Sequence, residues 1–357
     1  MRSADVQQLG MFSYVSVDAR VPSDHPIRKL RELVDGVLRE MDGLFAARYA
    51  KTGRASIPPE RLLRASLLQV VYSVRSERLL MEQLDYNLLF RWFVGLNVDD
   101  PVWDHSTFSF NRERLFDEEV AQQFFDNTVL VAQLKQLTSN EHFSVDGTLL
   151  DAWASHKSFR PKDGGGDDDD DFRGKPRSND THESTTDPDA RLARKGKGKE
   201  AKLSYQANTL MENRNGLLMG VDVCHATGTS ERDGALRLID EMYLGKDCTL
   251  SADKGYDTHG FVAALLDRGI QPHIARNTAG RRSAITDEIA ATAGYAISQQ
   301  IRKRIEQPFG WSKTFGGLRK LMRIGLPDVR AWTLWVFATY NLIRIGGLEE
   351  WWEPAPT

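Results

Sequence analysis

The sequence predicts an α/β protein in which a mixed sheet flanked by helices follows an all-α N-terminal domain and is interrupted by a flexible insertion. Three observations predict this fold. Apolar residues recur at helical spacing from about residue 26 to 138. After residue 138 a hairpin signal is followed by alternating strand and helix patterns, which is typical of a mixed sheet covered by helices. Within that second part, residues 155–200 shift abruptly to a polar, charged composition.

With 357 residues the chain is long enough for two domains. We predict a helical domain over 1–138, a sheet domain over 139–345 and a C-terminal tail over 346–357. No apolar run approaches the roughly 20 residues that span a bilayer, and the N-terminus lacks the apolar stretch of a signal peptide. Cys224 and Cys248 are too few for a disulfide framework and are interpreted as reduced core thiols. These features predict a cytoplasmic protein.

The N-terminal domain is predicted to contain several short helices. Pro58-Pro59 marks the start of one of them, and others are expected after Ser76 and from Leu88 to Gly95. The inner face of the first is predicted to carry Leu63, Leu67, Val70, Val71 and Val74.

The last helix of this domain is predicted to begin at a Ser106 or Thr107 cap. Its inward residues are expected to be Phe108, Phe110 and Leu115, and its outward residues Ser109, Asn111, Arg112 and Arg114. A basic, Asn-bearing helix at the end of a helical series resembles a helix-turn-helix module, in which Asn111 and Arg112 would contact DNA. A plain helical bundle with a solvated polar face explains the pattern equally well.

The strand patterns begin with a segment in which Asp146 lies opposite the most apolar face. Phe143, Val145 and Leu149 alternate there with Ser144, Asp146 and Thr148. Lys202 to Met211 and Leu217 to Cys224 are predicted to form a hairpin around Asn213-Arg-Asn-Gly216. The later elements are predicted to be a helix at 232–244, a strand at 248–252, a helix at 261–266, a strand at 272–275 and an apolar helix around Trp332 to Ile343.

The segment 155–200 is predicted to be a disordered insertion, because it cannot bury enough apolar surface to offset its chain entropy. Its acidic run, Asp167 to Asp171, accounts for more than the whole net charge of −3, which becomes +2 when those five charges are set aside. Basic residues cluster between 301 and 323, and a second basic stretch covers 191–199. The local charge therefore favours nucleic acid, although the net charge does not.

Three carboxylates are candidates for phosphodiester chemistry. Asp146 lies within the first predicted strand, Asp253 directly follows a short buried strand, and Glu306 lies in a basic helix. Hard divalent cations bind carboxylate oxygens, and two such ions stabilise charge on the attacking and leaving oxygens. On composition alone, Asp151, Asp222 and Asp257 compete with these residues.

The local motifs around the three acids carry a resemblance. Three segments resemble the signature regions of bacterial insertion-sequence transposases. They are Asp146-Gly-Thr, Asp253-Lys-Gly-Tyr256, and Arg302 followed by Glu306 four positions later and Lys313 eleven positions later. Such transposases belong to the DDE superfamily, and the match is to the families founded on insertion sequences four and five. The third signature usually begins with a Tyr, and Gln299 occupies that position here.

The resemblance implies a ribonuclease-H-like catalytic domain with Asp146, Asp253 and Glu306 as catalytic metal ligands. The implied cofactor is two Mg²⁺ ions, for which Mn²⁺ substitutes. The implied partners are double-stranded DNA, as terminal inverted repeats and target, and further copies of the chain in a dimer or higher oligomer. The expected location is the bacterial nucleoid.

The resemblance also implies DNA contacts in the third signature. Arg302 and Lys313 share a helical face with Glu306 and would neutralise the DNA backbone, with Arg304 as a further contact. Trp311 would stack on an unpaired base, although a core role explains it equally well. The competing functions are a metal-dependent nuclease without strand transfer and a DNA-binding protein that has lost catalysis.

Overall fold

The computed structural model describes residue 14 and residues 16–49, 56–162 and 177–352, apart from 197, 245 and 281. The acidic run Asp167 to Asp171 lies outside these residues, as do residues 353–357 of the predicted tail.

The N-terminal part is helical, as predicted. Its helices are α1 (Val17–Arg20), α2 (Pro26–Arg39), α3 (Asp42–Arg48), α4 (Pro59–Val71), α5 (Glu77–Tyr86), α6 (Leu88–Val94), α7 (His105–Leu115) and α8 (Glu118–Leu134). Pro59 opens α4 where no intrahelical N–H is needed. The Ser76 hydroxyl accepts from the Leu79 N–H at 3.2 Å to cap α5, and left-handed Gly95 ends α6. The predicted starts of α4 and α5 and the end of α6 are confirmed.

The prediction for α7 is wrong in two respects. The helix is capped by Asp104, whose carboxylate accepts from the Ser106 N–H at 2.9 Å, so it begins earlier than expected. Phe110 is 64% exposed, whereas Asn111 and Arg112 are buried. The reason is that α7 packs on α5, where Arg112 Nε lies 2.5 Å from Glu77 Oε1. The expectation that Asn111 and Arg112 face outward is therefore incorrect.

The sheet lies in the C-terminal part. Its strands are β1 (His142–Asp151), β4 (Arg191–Ala193), β5 (Lys202–Glu212), β6 (Leu218–His225), β7 (Thr249–Ala252) and β8 (Gln271–Ile274), while β2 (Phe159–Pro161) and β3 (His182–Ser184) form a separate pair. The main sheet has the order β4-β5-β1-β7-β8, and β6 also pairs with β5. β5 is antiparallel to β1, β4 and β6, whereas β1, β7 and β8 run parallel. This is the predicted mixed sheet.

The remaining helices cover the sheet. They are α9 (Ser230–Glu241), α10 (His259–Asp267), α11 (Asp287–Ala290), α12 (Tyr295–Ile301), α13 (Glu306–Thr314) and α14 (Leu326–Leu348). Because both faces of the sheet are covered, the simple alternation predicted for β1 fails at its end: Leu150 is fully buried, Thr148 is buried and Leu149 is only half-buried.

The insertion is wrongly predicted as disordered where the structure describes it. The chain forms a 3₁₀ turn at His156–Ser158, the β2–β3 pair and strand β4. Buried Asp187 explains this order, because its Oδ1 accepts from the Tyr205 hydroxyl at 2.5 Å. Asp189 accepts from the Leu326 N–H at 2.9 Å, which ties the insertion to the start of α14. A few buried polar anchors thus replace the apolar surface that the segment lacks.

The hydrophobic core is continuous between the N-terminal helices and the sheet domain. Trp335 of α14 is fully buried. Its ring centroid lies 4.3 Å from that of Phe124 in α8 and 5.0 Å from that of Phe116. Aromatic contacts of this kind dominate core energetics, so α8 and α14 fix the helical part against the sheet. None of the helices in the described ranges is both long and apolar enough to cross a membrane.

Candidate functional site

Asp146 of β1 and Asp253, the residue after β7, lie at matching positions of two adjacent parallel strands. The β1–β7 register pairs His142 with Thr249 and Ser144 with Ser251, a constant separation of 107 positions. Asp146 and Asp253 are separated by the same number of positions, so continuing the register places them side by side. Neighbouring strands lie about 4.8 Å apart, which brings two carboxylates distant in sequence to one point.

A buried polar network lies on the same strand faces, two residues before the aspartates. The Ser144 and Ser251 hydroxyl oxygens are 2.7 Å apart, and the Ser144 hydroxyl donates to Asn213 Oδ1 at 2.7 Å. All three side chains are buried. The network ties β1, β7 and the hairpin turn together, so it holds the two aspartates in register.

A side chain at the position after Asp146 would displace its neighbours. Asp146 Oδ1 accepts from the Gly147 N–H at 2.8 Å. A Cβ at position 147 would lie 2.9 Å from Glu231 Cγ and 2.8 Å from Asn208 Oδ1, and would also overlap Gln206. The missing side chain therefore lets β5 and the first turn of α9 approach the strand that carries Asp146.

Asp253 directly follows β7 and caps a 3₁₀ turn at Lys254–Tyr256, with its Oδ1 accepting from the Gly255 N–H at 2.7 Å. The competing acids have other partners. Asp151 lies 3.1 Å from Lys202 Nζ, and Asp222 lies 2.8 Å from Arg237 Nη2. Asp257 is buried and accepts from three groups of the loop after β8, at Asn277, Ser283 and Ala284.

Glu306 reaches the site from a helical segment beside the sheet. The chain passes from α12 through a 3₁₀ turn at Arg302–Ile305 into α13, which begins at Glu306. Together with Asp146 and Asp253, this exposed side chain lines a cavity of about 430 Å³. The cavity also receives the cationic side chains of Lys254, Arg276 and Arg302. The structure thus brings together the three predicted carboxylates.

Several acidic groups lie close together at this cavity. Burial, together with the charges of Asp253, Glu231 and Glu306, raises the pKa of Asp146 to about 7, while the Gly147 N–H opposes the rise. All the acidic groups offer the hard oxygen donors that Mg²⁺ and Mn²⁺ prefer, and a bound cation would relieve their repulsion. Within the parts of the chain that the structure describes, however, no three such side chains already surround a single ion position.

Gln299, which stands at the expected Tyr position, holds Arg302. Its side-chain amide donates to the His273 carbonyl at 2.5 Å, and its Oε1 accepts from Arg302 Nε at 3.0 Å. The amide thus links the end of β8 to a guanidinium that lines the carboxylate cavity. Lys313 instead donates to Thr148 Oγ1 at 2.6 Å and to the Leu149 carbonyl at 2.9 Å, which fixes α13 to β1.

The other two predicted contacts of this region lie in protein surroundings. Arg304 Nη1 donates to the carbonyls of Asn213 and Arg214 at 3.1 and 3.2 Å, which ties the turn before Glu306 to the hairpin. The Trp311 ring is half-buried, 5.8 Å from the ring of Tyr340. Its core contact agrees with the second of the two interpretations left open from the sequence.

Comparison with known protein families decides the family. The family described as "Transposase DDE domain" matches residues 140–342, more than half of the chain. The chain belongs to the DDE transposase family. A second family, described as "Transposase domain (DUF772)", matches residues 15–114, the helical part of this transposase. The fold is therefore a ribonuclease-H-like DDE domain preceded by that helical region, and the activity class is polynucleotidyl transfer.

Solved structures give weaker similarity. A piggyBac transposase synaptic complex with hairpin DNA is 11% identical, with 93% of this chain and 77% of that chain covered and a TM-score of 0.44. A pre-cleavage Mos1 transpososome is 9% identical, with 84% of this chain and 82% of that chain covered and a TM-score of 0.20. Similarity at this level adds nothing to the family assignment. No curated protein sequence matches the transposase.

Sequence reasoning missed several residues at this cavity. Lys254 and Arg276 line the cavity, and Glu231 lies beside Gly147. Burial raises the pKa of Glu231, and the charge of Asp253 raises it further. No local motif marks Glu231, which reaches Gly147 only because the first turn of α9 packs against β1 and β5.

Proposed function

We propose that this transposase cuts DNA at terminal inverted repeats and joins the freed 3′ ends to target DNA, with Asp146, Asp253 and Glu306 as the metal-binding catalytic residues. The observation that carries the proposal is the shared separation of 107 positions in the β1–β7 register and between the two aspartates. The third carboxylate faces the same cavity, as phosphoryl transfer with two divalent ions requires.

Two divalent ions, when bound, would lower the pKa of water and stabilise charge on the phosphate oxygens. The chain supplies the oxygen ligands, from the paired aspartates on one wall and Glu306 on another. Lys254, Arg276 and Arg302 bring positive charge to the same cavity, where they would orient the phosphodiester. Gln299 and Asp287 hold two of these guanidinium groups, the second through Arg276 Nη2 at 2.8 Å.

Cutting would add water across a phosphodiester and leave a 3′-hydroxyl on the transposon end and a 5′-phosphate on the flank. Joining would form a new ester between that 3′-hydroxyl and a target phosphate and release a target 3′-hydroxyl. Neither step requires a covalent protein–DNA intermediate.

The signature spacing supports a place among the families founded on insertion sequences four and five, although Gln299 replaces the usual Tyr. We propose the helical part, through residue 138, as a DNA-binding domain. Joining of two ends would need at least two copies of the chain on one DNA, and the substrate would be nucleoid DNA. Mg²⁺ would be the natural ion, with Mn²⁺ as a substitute.

The test uses a duplex that carries the inverted repeat found beside the reading frame, together with a supercoiled target plasmid. The proposal predicts cut ends and plasmid-joined products in Mg²⁺ or Mn²⁺, and neither product in EDTA. Cutting without joining would favour a nuclease. Binding without cutting would favour a protein that has lost catalysis.

A further inference from the structure

The insertion between β1 and β5 presents a basic surface beside the catalytic cavity. We call it the basic ledge and define it by Arg177, Arg191, Arg194 and Lys195. Three of these, Arg177, Arg191 and Arg194, line one cavity of about 540 Å³ in which Asp180 is the acidic residue, together with Thr227 and Gly228 of the loop that leads into α9. The Arg177, Arg194 and Lys195 side chains are exposed.

The ledge is a built structure. On one side, β4 pairs with β5, with Arg191 opposite Ser204 and Ala193 opposite Lys202. On the other side, Asn179 bonds both backbone groups of Leu192: its Nδ2 donates to the Leu192 carbonyl at 3.0 Å, and its Oδ1 accepts from the Leu192 N–H at 2.7 Å. This side chain takes the place of a neighbouring strand, so it brings the Arg177 segment alongside β4.

The sheet register places the ledge at the end of β5 that pairs with Asp151, five residues along β1 from Asp146, and the loop after β6 connects the two places. β6 and β4 share one edge of β5, because His225 pairs with Tyr205 and Arg191 pairs with the preceding Ser204. The chain that leaves β6 therefore passes the ledge at Thr227 and Gly228, and three residues later reaches Glu231 beside Asp146.

Electrostatics agree with this placement. Burial raises the pKa of Glu231, and the positive charge of Lys195 opposes that rise. Burial lowers the pKa of Lys313, which bonds β1 near the catalytic aspartate, and Lys195 lowers it further. One ledge cation is thus within electrostatic range of two elements of the site.

We propose that the basic ledge binds the phosphodiester backbone of the DNA that enters the catalytic cavity. This inference rests on the proposed function, and it names the surface that leads the strand to the carboxylates. Exposed Arg and Lys side chains in a fixed row suit phosphate contacts, which supply affinity without reading sequence. The DNA is either the transposon end or the target, and both offer the same backbone chemistry.

The test is the salt dependence of DNA binding by the full chain with Arg194→Gln and Lys195→Gln combined. Each lost phosphate contact removes about 0.9 from the slope of log Kobs against log salt, so the double variant should lose about 1.8. The control is Lys246→Gln with Arg268→Gln, which removes the same charge at the opposite end of α9, where Arg268 pairs with Asp240. That control should keep the wild-type slope.

Two duplexes distinguish the source of the DNA: one with the terminal repeat, and one of unrelated sequence added to a preformed protein–end complex. A slope change confined to the first assigns the ledge to the transposon end, and one confined to the second assigns it to the target. If the double variant keeps the wild-type slope of log Kobs against log salt with both duplexes, the ledge does not bind the DNA backbone. A changed slope in a protein whose wild type never cuts DNA would support the ledge and overturn the proposed function instead.

Discussion

Replacing Asp146 by Asn should stabilise the metal-free protein at pH 8, although it should abolish DNA cutting. The carboxylate lies half-buried among Asp253, Glu231 and Glu306, so its negative charge is unfavourable in the folded state. The Asn side chain removes that charge, and its oxygen can still accept from the Gly147 N–H, which bonds Asp146 Oδ1 at 2.8 Å. Catalytic residues often carry such a stability cost.

The magnitude follows from the pKa of Asp146, which rises from 3.8 to about 7 on folding. About three pKa units at roughly 1.4 kcal/mol each set an upper limit of about 4 kcal/mol. Because the cavity is open to water, we expect about 1–3 kcal/mol. That gain corresponds to an increase in Tm of roughly 2–12 °C, since about 2–4 °C per kcal/mol is usual for larger domains.

The pH dependence fixes the sign. A carboxyl group whose pKa is raised in the folded state destabilises the protein only at a pH where the group is ionised. The loss of stability therefore begins above pH 3.8 and is complete above about pH 7. The stability difference between the variant and the wild type should therefore be largest at pH 8 and disappear as the pH falls toward 4. Saturating Mg²⁺ should also remove the difference, because the ion stabilises only the ionised wild-type site.

The assay is urea or thermal unfolding in EDTA at pH 8 and pH 5, repeated with Mg²⁺. Asp151→Asn is the control: it lies on the same strand but pairs with Lys202, so its loss should cost about 0–1 kcal/mol. A destabilised Asp146→Asn protein at pH 8 in EDTA, or a gain that is the same at both pH values, would refute the reasoning.

Three further predictions follow from the site. Gln299→Leu should lower DNA cutting by about 10- to 100-fold with a nearly unchanged Tm, because Arg302 loses its partner, and wild-type kcat and KM would contradict this. Gln299→Glu keeps the acceptor for Arg302 but loses the donor to the His273 carbonyl, so it should restore part of the activity. Gly147→Ala should destabilise the fold by about 1–3 kcal/mol in urea unfolding, since its Cβ would meet Glu231, and a neutral result would contradict the packing. Burial lowers the pKa of His273 from 6.5, so the contribution of this ring to stability should be lost as the pH drops below 6.5. The stability of His273→Asn relative to the wild type should therefore rise as the pH falls below 6.5, and a difference that stays constant with pH would contradict this.

The parts of the fold set by local patterning could be predicted from the sequence. Helical periodicity and Pro59 located α4, and the Asn-Arg-Asn-Gly turn located the β5–β6 hairpin. The third signature located Glu306, which the structure places in the same cavity as the two aspartates. Signals of this kind lie within a few residues of the element that they specify, so no tertiary information is needed.

The failures have a common origin in tertiary contacts. Arg112 looks like an exposed cation on α7, but Glu77 of α5 pairs with it in the interior. The insertion looks disordered by composition, but Asp187 and Tyr205 anchor it through one buried hydrogen bond. Glu231 has no local motif, and only the folded hairpin brings it beside Asp146. Partners distant in sequence cannot be inferred from composition or periodicity.

The most direct test of the catalytic assignment is Mg²⁺-dependent cutting of the terminal-repeat duplex by Asp146→Ala, Asp253→Ala and Glu306→Ala, with duplex binding measured on the same preparations. The three carboxylates line one cavity, and two of them share a strand register. We therefore predict that each variant binds the duplex nearly as well as the wild type and produces no cut strand. Full cutting by any one of the three would remove that carboxylate from the catalytic site.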